Sequence, residues 1–199
     1  MHDVPLFDRF AFLYDRVLPE TEGSPLLEGF ALADRPIDRV LDVGGGTGRA
    51  GRAVDPEAVV FDASLPMLES ARSHGFETIR GDVRSIPLPA ETIDGAVSVD
   101  AIHHLPDVPA VLEEVARVIR PGGVLVVRDF DPETIRGRML ALGERVVGFE
   151  STFLSVASLE AAVSSTGLDV TVLEDGFVYT VVGRKPSRSE EATNSESLQ

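Results

Sequence analysis

Four runs that stay apolar over consecutive residues, RVLDV (39–43), AVVFD (58–62), GAVSVD (95–100) and VLVVRDF (124–130), constrain this chain more than any other feature. A strand with one face in water alternates apolar and polar residues, whereas a run apolar throughout needs cover on both faces. That is the condition of a parallel sheet with helices above and below it. Helical stretches do separate the runs: a short helix to about Val54, PMLESARSH (66–74), and a segment from Val108 to Ile119 with Val108, Val111, Leu112, Val115 and Ile119 at three- and four-residue spacing. The expected architecture is therefore a doubly wound α/β fold.

The remaining elements fit around this frame. FDRFAFLYDRVL places Phe7, Phe10, Phe12, Leu13, Tyr14 and Val17 on one helical face, and LLEGFALA forms a second helix before the first strand. ETIR (77–80) is a further strand, the strand at GAVSVD starts after Asp94, and Pro121-Gly122-Gly123 stops the helix of Val108 to Ile119 ahead of VLVVRDF. A helix near Ser158 to Ser165 precedes LDVTVLEDGFVYTVVGR, which reads as two strands joined at Glu174-Asp175-Gly176, an edge hairpin. From Pro186 the chain is polar and aperiodic, so the expectation is one domain over 1–185 and a disordered tail over 186–199.

Directly behind the first strand, LDVGGGTGRAG holds Gly44, Gly45, Gly46, Gly48 and Gly51. A glycine-rich turn at the carboxyl end of a strand lets backbone approach a ligand, and the following helix aims its amides there. Residues 46–51 also satisfy G-x-G-x-x-G, which makes a nicotinamide-dependent oxidoreductase one reading. Against it, Asp42 puts a carboxylate inside the turn, where a pyrophosphate would be repelled and a cationic ligand favoured. The chain is also short for a separate substrate domain, and its single lysine, Lys185, has Val181 rather than tyrosine four residues before it.

Composition narrows the partners. A formal charge of −15 repels a phosphate backbone, so nucleic acid is not expected. With no cysteine there is no disulfide, thiolate metal site or cysteine nucleophile, and His2, His74, His103 and His104 do not fall at a metal-ligand spacing, so no metal is signalled. There is no basic-then-apolar leader and no apolar run of membrane-spanning length, the pattern of a soluble cytoplasmic protein.

The motifs as an ordered set resemble those of class I S-adenosylmethionine-dependent methyltransferases, nearest to the type-11 and ubiquinone/menaquinone-methylase-like group. The likeness runs from about Phe7 to Lys185 and implies a Rossmann-like, mostly parallel seven-stranded sheet with an antiparallel C-terminal hairpin. LDVGGGTGR is similar to the family's first motif, which implies that Asp42, Gly44, Gly45 and Gly46 bracket the methionine part of S-adenosylmethionine. FDASLPML resembles the second, implying that Asp62 accepts from both ribose hydroxyls, with Ala63 alongside and Met67 near the adenine. In RGDVRSIPLPAETIDGAV the likeness gives Asp82 the adenine amino group and Val83 backbone contacts, and it adds Val99 at the end of the fourth strand. FDRFAFLYD resembles a lid helix over about 6–18 in which Tyr14 is the matching tyrosine.

Methyl transfer needs alignment and an acceptor lone pair, and only an acidic acceptor needs a base. His103 and His104, after the fourth strand, are the candidate bases, with Asp100, Asp129 and Asp131 nearby; each also has a plain structural role available, capping or packing for the histidines and solvated loop charge for Asp129 and Asp131. Ile135, Met139, Leu140, Leu142, Val146, Val147 and Phe149 either line an entrance for a small lipophilic or aromatic acceptor, a prenylated quinol being the specific guess, or pack a helix on the sheet. A binding module that keeps the cofactor pocket without catalysis is the remaining alternative.

Overall fold

In the computed structural model, residues 4–8, 20–54 and 56–190 are described. Residues 4–8 are helical. They are followed by α1 (Ser24–Phe30), β1 (Arg39–Val43), α2 (Arg49–Arg52), β2 (Glu57–Asp62), α3 (Leu65–Ser73), β3 (Glu77–Arg80) and β4 (Ile93–Val99). A 3₁₀ turn (Ile102–His104) leads to α4 (Val108–Val118), β5 (Ile119–Phe130), α5 (Ile135–Val147), α6 (Val156–Ser164), β6 (Asp169–Glu174) and β7 (Val178–Arg184). The seven strands form one sheet in the order β3-β2-β1-β4-β5-β7-β6. The first five are parallel to their neighbours, while β7 runs antiparallel to both β5 and β6. Strand order reverses at β1, and the carboxyl ends of β1 and β4 flank the crevice that such a reversal opens.

Both sheet faces are covered, as the apolar strands require. Leu125 and Val127 of β5 join Leu41, Phe61, and Val111, Leu112 and Val115 of α4 in one cluster; their neighbours Val124 and Val126 point the other way, to Leu26 and Phe30 of α1. The period of two along β5 thus feeds two cores. α4 starts where Asp107 accepts a hydrogen bond from Ala110 N, with proline in its first turn, and its buried stripe is the one its spacing indicates.

Two boundaries and one packing face differ from the sequence reading. β4 begins at Ile93, ahead of Asp94, because that aspartate is buried in ion pairs with Arg120 (2.7 Å) and Arg35 (3.1 Å) and accepts from Arg39 N. A charged residue that looks like an interruption is a satisfied strand residue. Pro121-Gly122-Gly123 does not separate helix from strand: α4 ends at Val118, β5 starts at once, and the triplet lies at a register irregularity with Gly122 at φ +79°. The helix over 135–147 does not pack its apolar side on the sheet. Its only buried residue is Gly137, and Ile135, Met139 and Val146 are 79%, 70% and 81% exposed.

Of the lid expected over about 6–18, residues 6–8 are described, and Tyr14 with the rest of it lies outside the described residues. The same holds for 191–199 of the tail; before it, Glu190 pairs with Arg184 at 2.9 Å and Arg188 with Glu91 at 2.6 Å.

Candidate functional site

The site begins with the turn that ends β1. Gly44, Gly46 and Gly48 take φ values of +68°, +54° and +81°, in the left-handed region that favours glycine. Gly44 N and Gly45 N donate to Phe61 O, so the turn is hung from the end of β2. A side chain at Gly45 would have its Cβ 2.4 Å from Asp42 Cγ. The glycine therefore lets the loop close directly over the Asp42 carboxylate.

Asp42 is 1% exposed beneath that loop. One of its oxygens accepts from Gly51 N at 3.3 Å, and the other has no partner among the described residues. Burial pushes its pKa up to about 7, only partly opposed by the Gly51 amide. The carboxylate underpins the turn rather than facing the cleft.

Asp62 ends β2 at the cleft wall. Its Oδ2 accepts from Gly46 N at 2.9 Å and its Oδ1 from Ser64 N at 2.8 Å, which ties the glycine turn to the start of α3. Burial raises its pKa against the pull of these amides. Two amide bonds leave a carboxylate with further acceptor capacity. Ser64 caps α3 by accepting from Met67 N, and its hydroxyl donates to Asp8 at 2.5 Å.

Gly44, Gly46, Asp62, Ala63, Met67 and Val83 line a cleft of about 590 Å³ open to solvent, with Val4 and Phe7 above and Asp100, Ala101, His104 and Leu105 beyond. Its mixed polar and apolar lining suits a nucleoside. Two expected contacts lie elsewhere. Val99 packs beside the α1 cluster. Asp82 is half-exposed and forked by Arg84, with contacts of 2.6 and 3.0 Å that hold its carboxyl low, at about 2.

The far wall is built by the two histidines. His103 is 3% exposed and its Nδ1 lies 2.6 Å from Asp129 Oδ1. Burial alone would lower its pKa, but the charge and hydrogen bond of Asp129, with Glu144, lift it to about 9. Phe153 stacks on its ring at 4.3 Å. His104 borders the cleft, edge-on to Phe7 at 4.9 Å, with Nδ1 3.1 Å from Ser151 Oγ. Ser151 donates in turn to Glu144 of α5, and hydrogen bonds from His103 and Ser151 keep that glutamate low although burial opposes them.

Asp100, also at the cleft, holds a left-handed φ of +51° 3.7 Å from Arg49, and burial raises its pKa, with Asp129 adding to the effect. Sequence reasoning missed Glu144, Ser151, Phe153, Arg49, Ser64 and Asp8. Glu144, Ser151 and Phe153 lie outside the motifs and meet the histidines only through the fold. Arg49, Ser64 and Asp8 lie inside LDVGGGTGR, FDASLPML and FDRFAFLYD, and only their long-range partners, Asp100 for Arg49 and one another for Ser64 and Asp8, give them a place at the cleft.

Known proteins resemble the chain in sequence and in fold. Residues 41–127 match the family model described as a methyltransferase domain. Over these residues the chain is similar to the class I S-adenosylmethionine-dependent methyltransferases of the type-11 group. The chain is 38% identical to the demethylmenaquinone methyltransferase of Mycobacterium sp. (strain KMS), over 53% of its own length and 47% of the relative's. It is 29% identical to the 27-O-demethylrifamycin SV methyltransferase of Amycolatopsis mediterranei, over 96% and 81%. The chain spans about half the length, or less, of most of the first-ranking curated relatives it matches. Among solved structures, an S-adenosylmethionine-dependent methyltransferase of Thermotoga maritima, described as a possible histamine N-methyltransferase, shares the fold with a TM-score of 0.74 at 23% identity, covering 93% of this chain and all of that one.

The chain's own residues fit S-adenosylmethionine, the cofactor of the proteins it resembles. A Gly46 Cβ would point toward Met67 Sδ, 3.8 Å away, so the bare glycine leaves open the space between loop and α3. Asp62 offers acceptors beside it for hydroxyl groups.

Proposed function

We propose that this chain transfers the methyl group of S-adenosylmethionine, leaving S-adenosylhomocysteine, to a small-molecule acceptor, with a quinol or other lipophilic aromatic as the leading class. The observation that carries this reading is the two-sided cleft: Asp62 and the glycine turn form one wall, and His104 with an aromatic surround forms the other. Asp62 takes the ribose hydroxyls, Ala63, Met67 and Val83 flank the adenine, and Gly44 to Gly46 lie along the methionine part over Asp42. Asp82 reaches the adenine amino group by giving up part of its fork with Arg84. Tyr14 belongs to the segment that would close the cleft from above.

The cofactor supplies an electrophilic methyl on a sulfonium, whose positive charge vanishes as the new bond forms. What the chain supplies is alignment of donor and acceptor, an effect that contributes roughly 7–11 kcal/mol in well-oriented reactions. An acidic acceptor must also lose a proton. His104 borders the cleft where that proton would leave, whereas buried His103 is already charged at neutral pH and serves to position its neighbour. The flanking Phe7 and Phe149, 4.9 and 5.1 Å from the His104 ring, offer faces for an aromatic acceptor. The demethylmenaquinone relative adds weight to a quinol.

The test is incubation with methyl-labelled cofactor and a panel of reduced quinones and simple phenols, followed by product identification. Label in a quinol is the expected result. Label only in protein or polar amine fractions would reject the acceptor class, and stabilisation by NADH but not S-adenosylhomocysteine would reject the cofactor.

A further inference from the structure

The two sides of helix α5 have opposite characters. Gly137, its one buried residue, and Glu144, whose carboxylate reaches the two histidines, mark the side turned to the protein. At about 100° per residue, Ile135, Met139, Leu142 and Val146 fall in one stripe on the opposite side, and all four are exposed. A folded chain leaves single apolar residues in water but seldom a continuous row.

The charges around the stripe are equally one-sided. Among the described residues, four arginine side chains make no hydrogen bond or ion pair, Arg72, Arg136, Arg138 and Arg145, and three of these are on α5. Arg138 and Arg145 border the stripe on one flank and Arg136 on the other, and all three are exposed. Glu144 is the one acid of the helix and is turned inward; Glu133 and Glu150 stand beyond its two ends.

We propose that α5 docks the protein on a membrane surface of anionic lipid, with the apolar stripe at the acyl boundary and the three arginines at the level of the phosphates. An apolar row flanked by cations is the pattern of a helix that lies in that interface. With 13 residues α5 is about 20 Å long, too short to cross a hydrocarbon core of about 30 Å, so it lies in the plane. A second copy of the chain fits this face worse. Pairing two such helices would set unpaired arginines against their own kind, between chains that each carry a formal charge of −15. The same net charge turns the rest of the molecule away from anionic lipid, and charges more than about 10 Å from the contact are screened at about 0.1 M salt. The contact is therefore confined to α5 and orients the molecule.

Binding to lipid does not rest on the methyl-transfer reading of the cleft, although its use does. The groove between α5 and residues 148–153 is lined by Leu142, Phe149 and Phe153 with Arg138 and Arg145. Phe149 also stands 5.1 Å from the His104 ring. An acceptor dissolved in the bilayer thus meets apolar side chains from the docked helix to the acceptor wall.

The experiment is co-sedimentation of the full chain, without affinity tag or cofactor, with vesicles of phosphatidylcholine containing phosphatidylglycerol and with vesicles of phosphatidylcholine alone. Binding to the anionic vesicles is expected, weakened at about 1 M salt, where the screening length falls to about 3 Å. Each of Arg136→Gln, Arg138→Gln and Arg145→Gln should weaken it about fivefold and the triple variant about 100-fold. Leu142→Gln should weaken it about tenfold or more. Arg72→Gln, which removes the unpaired arginine of α3, should change nothing, and circular dichroism confirms that each variant is folded. No binding to anionic vesicles, equal binding to phosphatidylcholine alone, or undiminished binding in the triple variant would overturn the docking face. So would a lipid-free dimer in sedimentation velocity that Leu142→Gln abolishes, which would give the face to a second copy. Vesicle binding with the expected dependence in a chain that S-adenosylhomocysteine fails to stabilise would uphold the docking face and reject the methyltransferase reading instead.

Discussion

Asp62 Oδ2 accepts a hydrogen bond from Gly46 N at 2.9 Å, joining the end of β2 to the turn after β1 across the mouth of the cleft. The same carboxylate that would hold the ribose therefore also sets the shape of the glycine turn. Replacing it removes a ligand contact and a structural tie together. Asp62→Ala should weaken S-adenosylhomocysteine binding more than tenfold, or about 1.4 kcal/mol. Titration calorimetry measures this directly, and an unchanged dissociation constant would remove Asp62 from the ribose.

Asp42 makes stability fall with rising pH. Unfolded, its carboxyl titrates near the ordinary value of 3.8, but burial moves it to about 7 in the folded chain. Between these values the folded state keeps a proton that the unfolded state has lost, so stability declines through that window and levels off above it. The loss is on the order of a few kcal/mol. Melting temperatures of the ligand-free protein from pH 4 to 8 should show the decline, and Asp42→Asn, which stays neutral, should flatten it. An Asn variant with the full slope would assign the effect to other groups.

Much of the fold was legible because β1, β2, β4 and β5 are buried on both faces, and such strands read as unbroken apolar runs whatever surrounds them. What failed was local. Asp94 looked like an interruption because its partners Arg35 and Arg120 come from other elements, and the exposed apolar face of α5 looked like core because periodicity shows that a face exists and not what covers it. In the site, the β1 turn and Asp62 were readable from motif and position. Glu144 was not: it reaches His103 and His104 only because the chain after β5 folds back, a contact with no fixed spacing. Val99 sits at the expected strand end, and its side chain packs toward the α1 cluster.

Two glycines with different surroundings should respond in opposite directions to alanine. At Gly45 a Cβ would stand 2.4 Å from Asp42 Cγ, and the aspartate has no room to withdraw under the loop. Gly45→Ala should cost about 1–3 kcal/mol, the usual penalty of overpacking, and weaken cofactor binding. Gly143, inside α5, has nothing within 4 Å of its Cβ position, so Gly143→Ala should add up to about 1 kcal/mol of helix stability. Denaturant unfolding of both variants checks the pair, and a destabilised Gly143→Ala would show that α5 is covered by a partner.

The contact of Ser64 Oγ with Asp8 at 2.5 Å is the hydrogen bond that holds the helical piece at 4–8 to α3, directly beside the cleft. Because Ser64 also caps α3 through Met67 N, Ser64→Ala removes two bonds and should cost about 1 kcal/mol of global stability. Asp8→Ala removes only the tether, since Asp8 is exposed. It should leave the melting temperature of the ligand-free protein nearly unchanged while S-adenosylhomocysteine dissociates several-fold faster, because release requires the segment bearing Phe7 to lift. Stopped-flow dissociation separates the cases. An unaltered rate in Asp8→Ala would mean that this segment does not gate the cleft.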